Sequence, residues 1–287
     1  MNIMKFRPLF FSLSLFLFLA SFYSLIRWQF QPSIDFAGGS EYQISLPQIS
    51  DQVTVEKLFK DNNIELASIT HSENGRYLLR FRNISPEEKL NLTDALKTAD
   101  KDFQELRFIT LGPSLGKELL RKTVFAIILS SLSLLIFIGT RFNDFSFGLS
   151  AVLAMFHDAF ILIGSFSILG HFFGAQIDSL FVTALLTTLS ASVHDTIVTF
   201  NRIRELKRQN IRLDWVSLAN QAVTETLVRS INNSMTIVFM LFSLVILGGD
   251  TTRWFALTLL IGVVCGTYSS TGVAIPLVLF LKNRRRK

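Results

Sequence analysis

Two histidine–aspartate pairs, His157-Asp158 and His194-Asp195, stand inside otherwise apolar stretches. An imidazole beside a carboxylate can take up and pass on protons near neutral pH. Ionisable side chains within hydrocarbon are costly and rare, so each is a functional candidate by default. A third candidate is Arg229, at the start of the next apolar stretch. Counting from Phe145, His157-Asp158 lies about 12 residues, or roughly 18 Å, along its segment, near mid-membrane. Two roles fit this pair: a satisfied hydrogen-bonded glue between helices, or a step in a proton path. Counting from Ser179, Asp195 lies roughly 24 Å inward.

The neighbours of Asp195 carry more information. Thr188, Ser192, Asp195, Thr199 and Arg202 are spaced 4, 3, 4 and 3, which sets them along one helix face. A lipid-facing helix does not carry such a stripe, so this face is expected against protein or a hydrated lane. Small-residue packing with an acid near the interface is the bland alternative. Arg229, Asn233, Thr236, Met240 and Ser243 repeat the spacing. Arg229 is expected at a depth similar to Asp195, where the two can pair; alone, it would read as an arginine snorkelling to the interface. Asp195, Arg229, His194, His157 and Asp158 are therefore the proton-relay candidates, with Thr188, Ser192, Thr199 and Asn233 as a polar lane. An intramembrane hydrolase would need a nucleophile–base pair or metal ligands, and the two His-Asp pairs lie on different helices at different depths. No catalytic residue, metal site or cofactor is expected, and the chain is not read as an enzyme.

The elements that position these residues follow from hydropathy. The chain has 287 residues, 49% of them hydrophobic and only 17% charged, with mean hydropathy +0.42. A helix needs about 20 apolar residues to cross roughly 30 Å of hydrocarbon. Six stretches qualify: Leu9 to Ile26, Thr123 to Thr140, Phe145 to Ile177, Ser179 to Phe200, Ser230 to Gly249 and Trp254 to Leu281. Met1 to Arg7 resembles the basic start of a signal peptide. The apolar core after it is long and lacks a small-x-small site, so an uncleaved first span is expected. Gly262, Gly266 and Ser270 in the sixth stretch form a small-xxx-small series, expected as a packing surface toward a partner subunit. Pro276 should kink or end that helix. The single cysteine, Cys265, reads as packing and excludes an intrachain disulfide or a cysteine-based metal site.

The net charge of +6 is distributed by membrane side, which argues against nucleic acid. Lys5 and Arg7, Arg141, the group from Arg202 to Arg229 including Arg212, and Lys282 to Lys287 fall on one side of the six spans. That pattern puts both termini in the cytoplasm, with the basic tail near anionic lipid.

About 95 mostly polar residues separate the first two spans. Strands are expected over Ser40 to Leu46, Ile64 to Thr70, Arg76 to Arg82 and Phe103 to Leu111. A helix is expected over Thr54 to Asn62 on the spacing of Val55, Leu58 and Phe59. A second helix starts at Ser85-Pro86-Glu87-Glu88, with a capping serine, proline at the first position and acids in the first turn. Ser72-Glu73-Asn74-Gly75 carries the Asn-Gly hairpin signal. The order βαββαβ is the ferredoxin-like α+β motif, and a binding or force-transmitting role fits it better than catalysis. The organisation expected is residues 1–28 as N-terminus and first span, 29–120 as the outer domain, 121–281 as spans two to six, and 282–287 as a basic tail.

Several segments together resemble the SecD/SecF family of bacterial protein-export subunits. They are Ile34 to Ser40, Gly112 to Gly116, Ala154 to Asp158, Ser192 to Val198 with Arg202 to Glu205, Arg229 to Ser234, and Gly266 to Ser270. The resemblance is to the SecF side, whose pattern Arg202 to Glu205 and Gly266 to Ser270 follow. It implies a six-span half that pairs with SecD into an RND-like twelve-span unit in the bacterial cytoplasmic membrane. SecYEG and a translocating preprotein, with YajC as a further candidate, are the partners it implies. The implied activity is proton-motive-force-driven help to export after the ATP-driven step, with Asp195 and Arg229 on the family's proton-conducting acid and arginine. Ser190-Ala191-Ser192, His194 and Asn233 depart from the usual family residues, which bears on how the acid is tuned. A small-molecule RND-like proton-coupled transporter subunit is the rival function. In a Cys265→Ala background, cysteines placed at Glu73 and Gln209 should label from opposite sides of the membrane. Labelling of both from one side overturns the six-span topology.

Overall fold

The computed structural model describes residues 2–72, 75–141, 144–209 and 213–284. The hairpin residues Glu73 and Asn74, the loop residue Arg212 and the tail from Arg285 to Lys287 lie outside the described residues. Chain contacts divide the protein into two compact units, residues 32–125 and residues 1–31 with 126–287.

The smaller unit begins with a short helix α2 (Ile34–Ala37), then β1 (Gly39–Ser45), α3 (Gln52–Asp61), β2 (Leu66–Ser72), β3 (Arg76–Phe81), α4 (Pro86–Ala99) and β4 (Gln104–Leu111). The strands form one sheet in the order β2-β3-β1-β4, every pair antiparallel. This is the ferredoxin-like arrangement expected from the element order. β1 alternates, burying Tyr42 and Ile44 against Val55 and Phe59 of α3 and Leu92 and Leu96 of α4. Local chemistry sets the helix starts. The Asp51 carboxylate accepts from the Val53 N–H (3.2 Å). Ser85 and Glu88 make a reciprocal capping box, with Ser85 Oγ accepting from Glu88 N at 3.1 Å and Glu88 Oε2 accepting from Ser85 N at 2.8 Å.

Two glycine segments close this unit. Gly38 has φ +72, a conformation glycine adopts without penalty, and a Cβ there would stand 2.8 Å from Pro113 Cα. A Cβ on Gly116 would stand 2.9 Å from Gly38 N and 3.0 Å from Phe36 O. The segments Ile34 to Ser40 and Gly112 to Gly116, some 75 residues apart, therefore pack backbone on backbone.

The larger unit contains α1 (Arg7–Arg27), preceded by a 3₁₀ turn (Ile3–Phe6), then α6 (Phe145–Phe173), α7 (Ser179–Gln209), α8 (Trp215–Leu247), α9 (Asp250–Ser269), a π turn (Ser270–Ala274) and α10 (Ile275–Arg284). α5 (Pro113–Arg141) runs from the first unit into the second. Among the described residues, six helical stretches are long and apolar enough to span a membrane, the sixth running through α9, the π turn and α10. Pro276, where a kink or a helix end is expected, lies just beyond this π turn, and the helix continues through it as α10; π turns are one way a helix accommodates an interrupted hydrogen-bond ladder.

Two helices are longer than their apolar stretches. α7 continues nine residues past Phe200, and α8 begins fifteen residues before Ser230. At 1.5 Å per residue each exceeds the roughly 30 Å of hydrocarbon by 15 Å or more. The basic stretch expected as a loop between spans four and five is thus largely a pair of helical extensions, and Arg229 lies well inside α8 rather than at its start. Hydropathy detects only the lipid-immersed part. Packing and capping sustain the rest: Leu206, Leu218, Ala222 and Val223 are buried, Asp214 caps α8 through the Val216 N–H, and Arg202 pairs with Glu225.

Residues 29–120 made alone should give a mixed helix–strand circular dichroism spectrum and one cooperative melt. Ser85→Ala should lower its stability by about 1 kcal/mol. The Arg82 guanidinium hydrogen-bonded to Glu88 holds the Glu88 carboxyl down at about 2, against an ordinary 4.5. A lowered folded value contributes stability above the unfolded one and loses it as pH falls from 4.5 toward 2. Glu88→Gln should flatten that acid limb of the melting profile.

Candidate functional site

Asp158 sits at the meeting point of three helices and is 4% exposed. Its Oδ2 accepts from Ser192 Oγ of α7 at 2.6 Å and from Ser269 Oγ of α9 at 2.5 Å. On the other side, His157 Nδ1 lies 3.1 Å from Oδ1. The two serine hydroxyls are 3.4 Å apart. His157 Nε2 is buried and has no hydrogen-bond partner among the described residues. Sequence spacing placed Ser192 on the Asp195 stripe, and the structure brings that serine to Asp158. Ser269 was missed, because one serine in the run Thr267-Tyr268-Ser269-Ser270-Thr271 carries no sign of which of these residues faces the acid.

The α7 stripe meets protein at each step. Thr188, Ser192 and Thr199 are buried. Thr188 faces Gly262 and Ser192 faces Gly266. The Asp195 carboxylate accepts from Ser230 Oγ of α8 at 2.9 Å, and Thr199 meets Thr226 at 3.3 Å. Arg202 pairs with Glu225. A further contact, Ser234 with Thr267 at 2.6 Å, joins α8 to α9. Along the same face runs a cavity of about 600 Å³, lined by Ser190, His194, Asp195 and Asn233 among others, with Gly262 and Gly266 on its α9 side. His194 is exposed. Asp195 thus differs from Asp158: one acid borders an open cavity, the other is enclosed by donors.

Two expectations need correction. Asp195 pairs with Ser230 and not with Arg229, which is exposed and makes no ion pair among the described residues. Successive helix residues point about 100° apart, so turning Thr226 and Ser230 toward α7 turns Arg229 and Thr236 outward, where both are exposed, while Asn233, one turn on from Ser230, borders the cavity. The glycine series, in turn, packs within the chain. A Cβ on Gly262 would collide with the Thr188 side chain, and one on Gly266 would stand 2.9 Å from Ser192 Cβ. Ser270 is buried at the first position of the π turn.

These six spans, with a small antiparallel α+β unit between the first and second, define a polytopic helical membrane protein. The family described as protein export membrane protein SecD/SecF, C-terminal, matches residues 91–284. The protein translocase subunit SecF of Thermobaculum terrenum is 36% identical, over 99% of this chain and 94% of that one. The SecF of Anaerolinea thermophila is 36% identical, over 96% of this chain and 92% of that one. The crystal structure of SecDF from Thermus thermophilus, a translocon-associated membrane protein, superimposes with a TM-score of 0.89 at 30% identity. That match covers 99% of this chain but 39% of SecDF. The chain belongs to the SecD/SecF family of protein export membrane proteins.

Because Gly266 contacts Ser192 of the same chain, Gly266→Leu should destabilise the purified chain itself, by about 1–3 kcal/mol of overpacking. Thermal unfolding in detergent would measure it. A variant as stable as the parent chain places the glycine series outside the bundle.

Proposed function

We propose that this protein works in bacterial protein export. Paired with SecD, it uses the proton motive force to assist preprotein translocation through SecYEG after the ATP-driven step, with YajC as a further partner, and catalyses no reaction of its own. The observation that carries this proposal is Asp195. It is a carboxylate bordering a cavity between α7, α8 and α9, in a chain that aligns along nearly its whole length with subunits named SecF.

Two exposed surfaces support a membrane-embedded partner. Among the described residues, none in the apolar window of α5 is buried, and few in that of α8 are. The outward face of α8 also carries Arg229, and a charged group at that depth calls for a protein partner or water. The fusion of the two subunits in SecDF of Thermus thermophilus supports SecD as that partner. Arg229 then acts across the subunit boundary or through water, beside an acid it does not touch within this chain. By the distribution of basic residues, the protein lies in the cytoplasmic membrane with both termini inside and the α+β unit outside.

A charge moved through the membrane potential gains about 2.3 kcal/mol per 100 mV, so a few protons suffice for a conformational stroke. Asp195→Asn keeps the shape and removes the titrating group. It should leave the chain inserted and partner-bound while translocation into inverted membrane vesicles loses its stimulation by an imposed proton gradient. His194→Asn should give a milder, pH-dependent defect. Asp195→Asn vesicles that respond to the gradient as wild type does would show the acid to be structural.

A further inference from the structure

Both carboxylate oxygens of Asp158 are engaged, yet one of their donors has an alternative. Two hydroxyls donating to one oxygen suit the ionised carboxylate, which only accepts. The Ser269 hydroxyl also lies 3.3 Å from the Gly266 carbonyl one turn back. It can therefore bond across helices to Asp158 or along its own helix. Ser269 is also the last residue of α9, immediately before the π turn Ser270–Ala274. Single π turns inside helices are rare and concentrate at functional positions, and such a turn returns to α by exchanging one hydrogen-bond partner for the next. Beside this arrangement lies Nε2 of His157, buried and without a partner among the described residues, on a side chain 11% exposed.

We propose that Asp158 is a proton-operated latch on the sixth span, with His157 as its proton carrier. Ionised, Asp158 holds Ser269 and the start of the π turn against α6 and α7. Protonated, it frees the Ser269 hydroxyl to the Gly266 carbonyl, and the π turn can change its hydrogen-bond register. The balance is one proton. It binds His157 Nε2, the Nδ1 proton passes to Asp158 Oδ1, and the ring is left neutral with its proton on Nε2.

The other groups facing the site are few. α9 contributes Cys265 and Tyr268, both within electrostatic reach of Asp158. α1 contributes Ser14, whose hydroxyl meets that of Tyr268 at 2.9 Å. α7 contributes Ser192 and, one turn on, Asp195, which is bonded to Ser230. α10 packs apolar Ile275, Val278 and Leu279 into the same core, and its Lys282 is engaged by Asp144. Asp158 is thus a positioning residue: it acts on helix geometry through Ser269.

The latch deepens the proton-coupled function proposed above, but its test needs neither a gradient nor export. Hydrogen–deuterium exchange would be followed across residues 266–276 of the full chain in lipid nanodiscs, corrected for intrinsic pH dependence. In wild type, protection of this segment should fall about tenfold on acidification, the scale of one hydrogen bond to a charged group. In Asp158→Asn, protection should be low and independent of pH. Ser269→Ala removes only the hydroxyl and should behave likewise, so it decides the matter even where the Asp158 variant fails to fold. Wild-type protection indifferent to pH, or either variant retaining the wild-type pH response, overturns the latch. An Asp195→Asn chain without an export defect but with normal pH-dependent exchange would instead overturn only the export mechanism.

Discussion

A carboxylate taken out of water loses hydration worth several kcal/mol unless donors replace it, and Asp158 is buried among three helices. Its replacement donors come from α7 and α9, so those helices must approach α6 to within hydroxyl reach. α9 can come that close to α7 only because Gly262 and Gly266 have no side chain where Thr188 and Ser192 stand. The glycines, the serines and the acid form one constraint. Gly266 admits Ser192, and Ser192 and Ser269 satisfy Asp158. The π turn follows directly after Ser269, and Pro276 just beyond it lacks the backbone donor of a regular helix.

The smaller unit rests on a similar close approach. Segments at its two ends meet backbone to backbone at Gly38 and Gly116, which joins the strand after the first span to the helix that leads into the second. The sheet between them buries a compact set of aromatic and aliphatic side chains, and its polar side chains bond at the helix caps and across strands, as Arg80 does to Glu41. Charged residues in both units cap helices, as Glu88 and Asp214 do, or form ion pairs, as Arg80 with Glu41 and Arg202 with Glu225 do.

The outward faces explain why this chain need not stand alone. A soluble protein with this much exposed leucine, isoleucine and phenylalanine on α1, α5 and α8 would aggregate. In a bilayer the apolar part of those faces is satisfied by lipid, while Arg229 on α8 is not. The extensions of α7 and α8 beyond the apolar stretches add an ion pair and a small buried core of their own.

Much of this was legible in the sequence, because hydropathy, charge asymmetry and capping are local. Six spans emerge from runs of apolar residues. The α4 start emerges from Ser85-Pro86-Glu87-Glu88, and the βαββαβ order from alternation and helical spacing, with strand ends displaced by a residue or two. The polar face of α7 emerges from a repeat of 4 and 3 in Thr188, Ser192, Asp195, Thr199 and Arg202. Periodicity tells which residues share a face but not which way that face turns. The tertiary structure alone assigned Ser230 rather than Arg229 to Asp195, turned the glycine series onto α7, and brought Ser192 and Ser269 to Asp158. The rotation of a helix about its axis is fixed by the summed packing of its neighbours, and contacts between residues 34 and 111 positions apart leave no local trace in the chain.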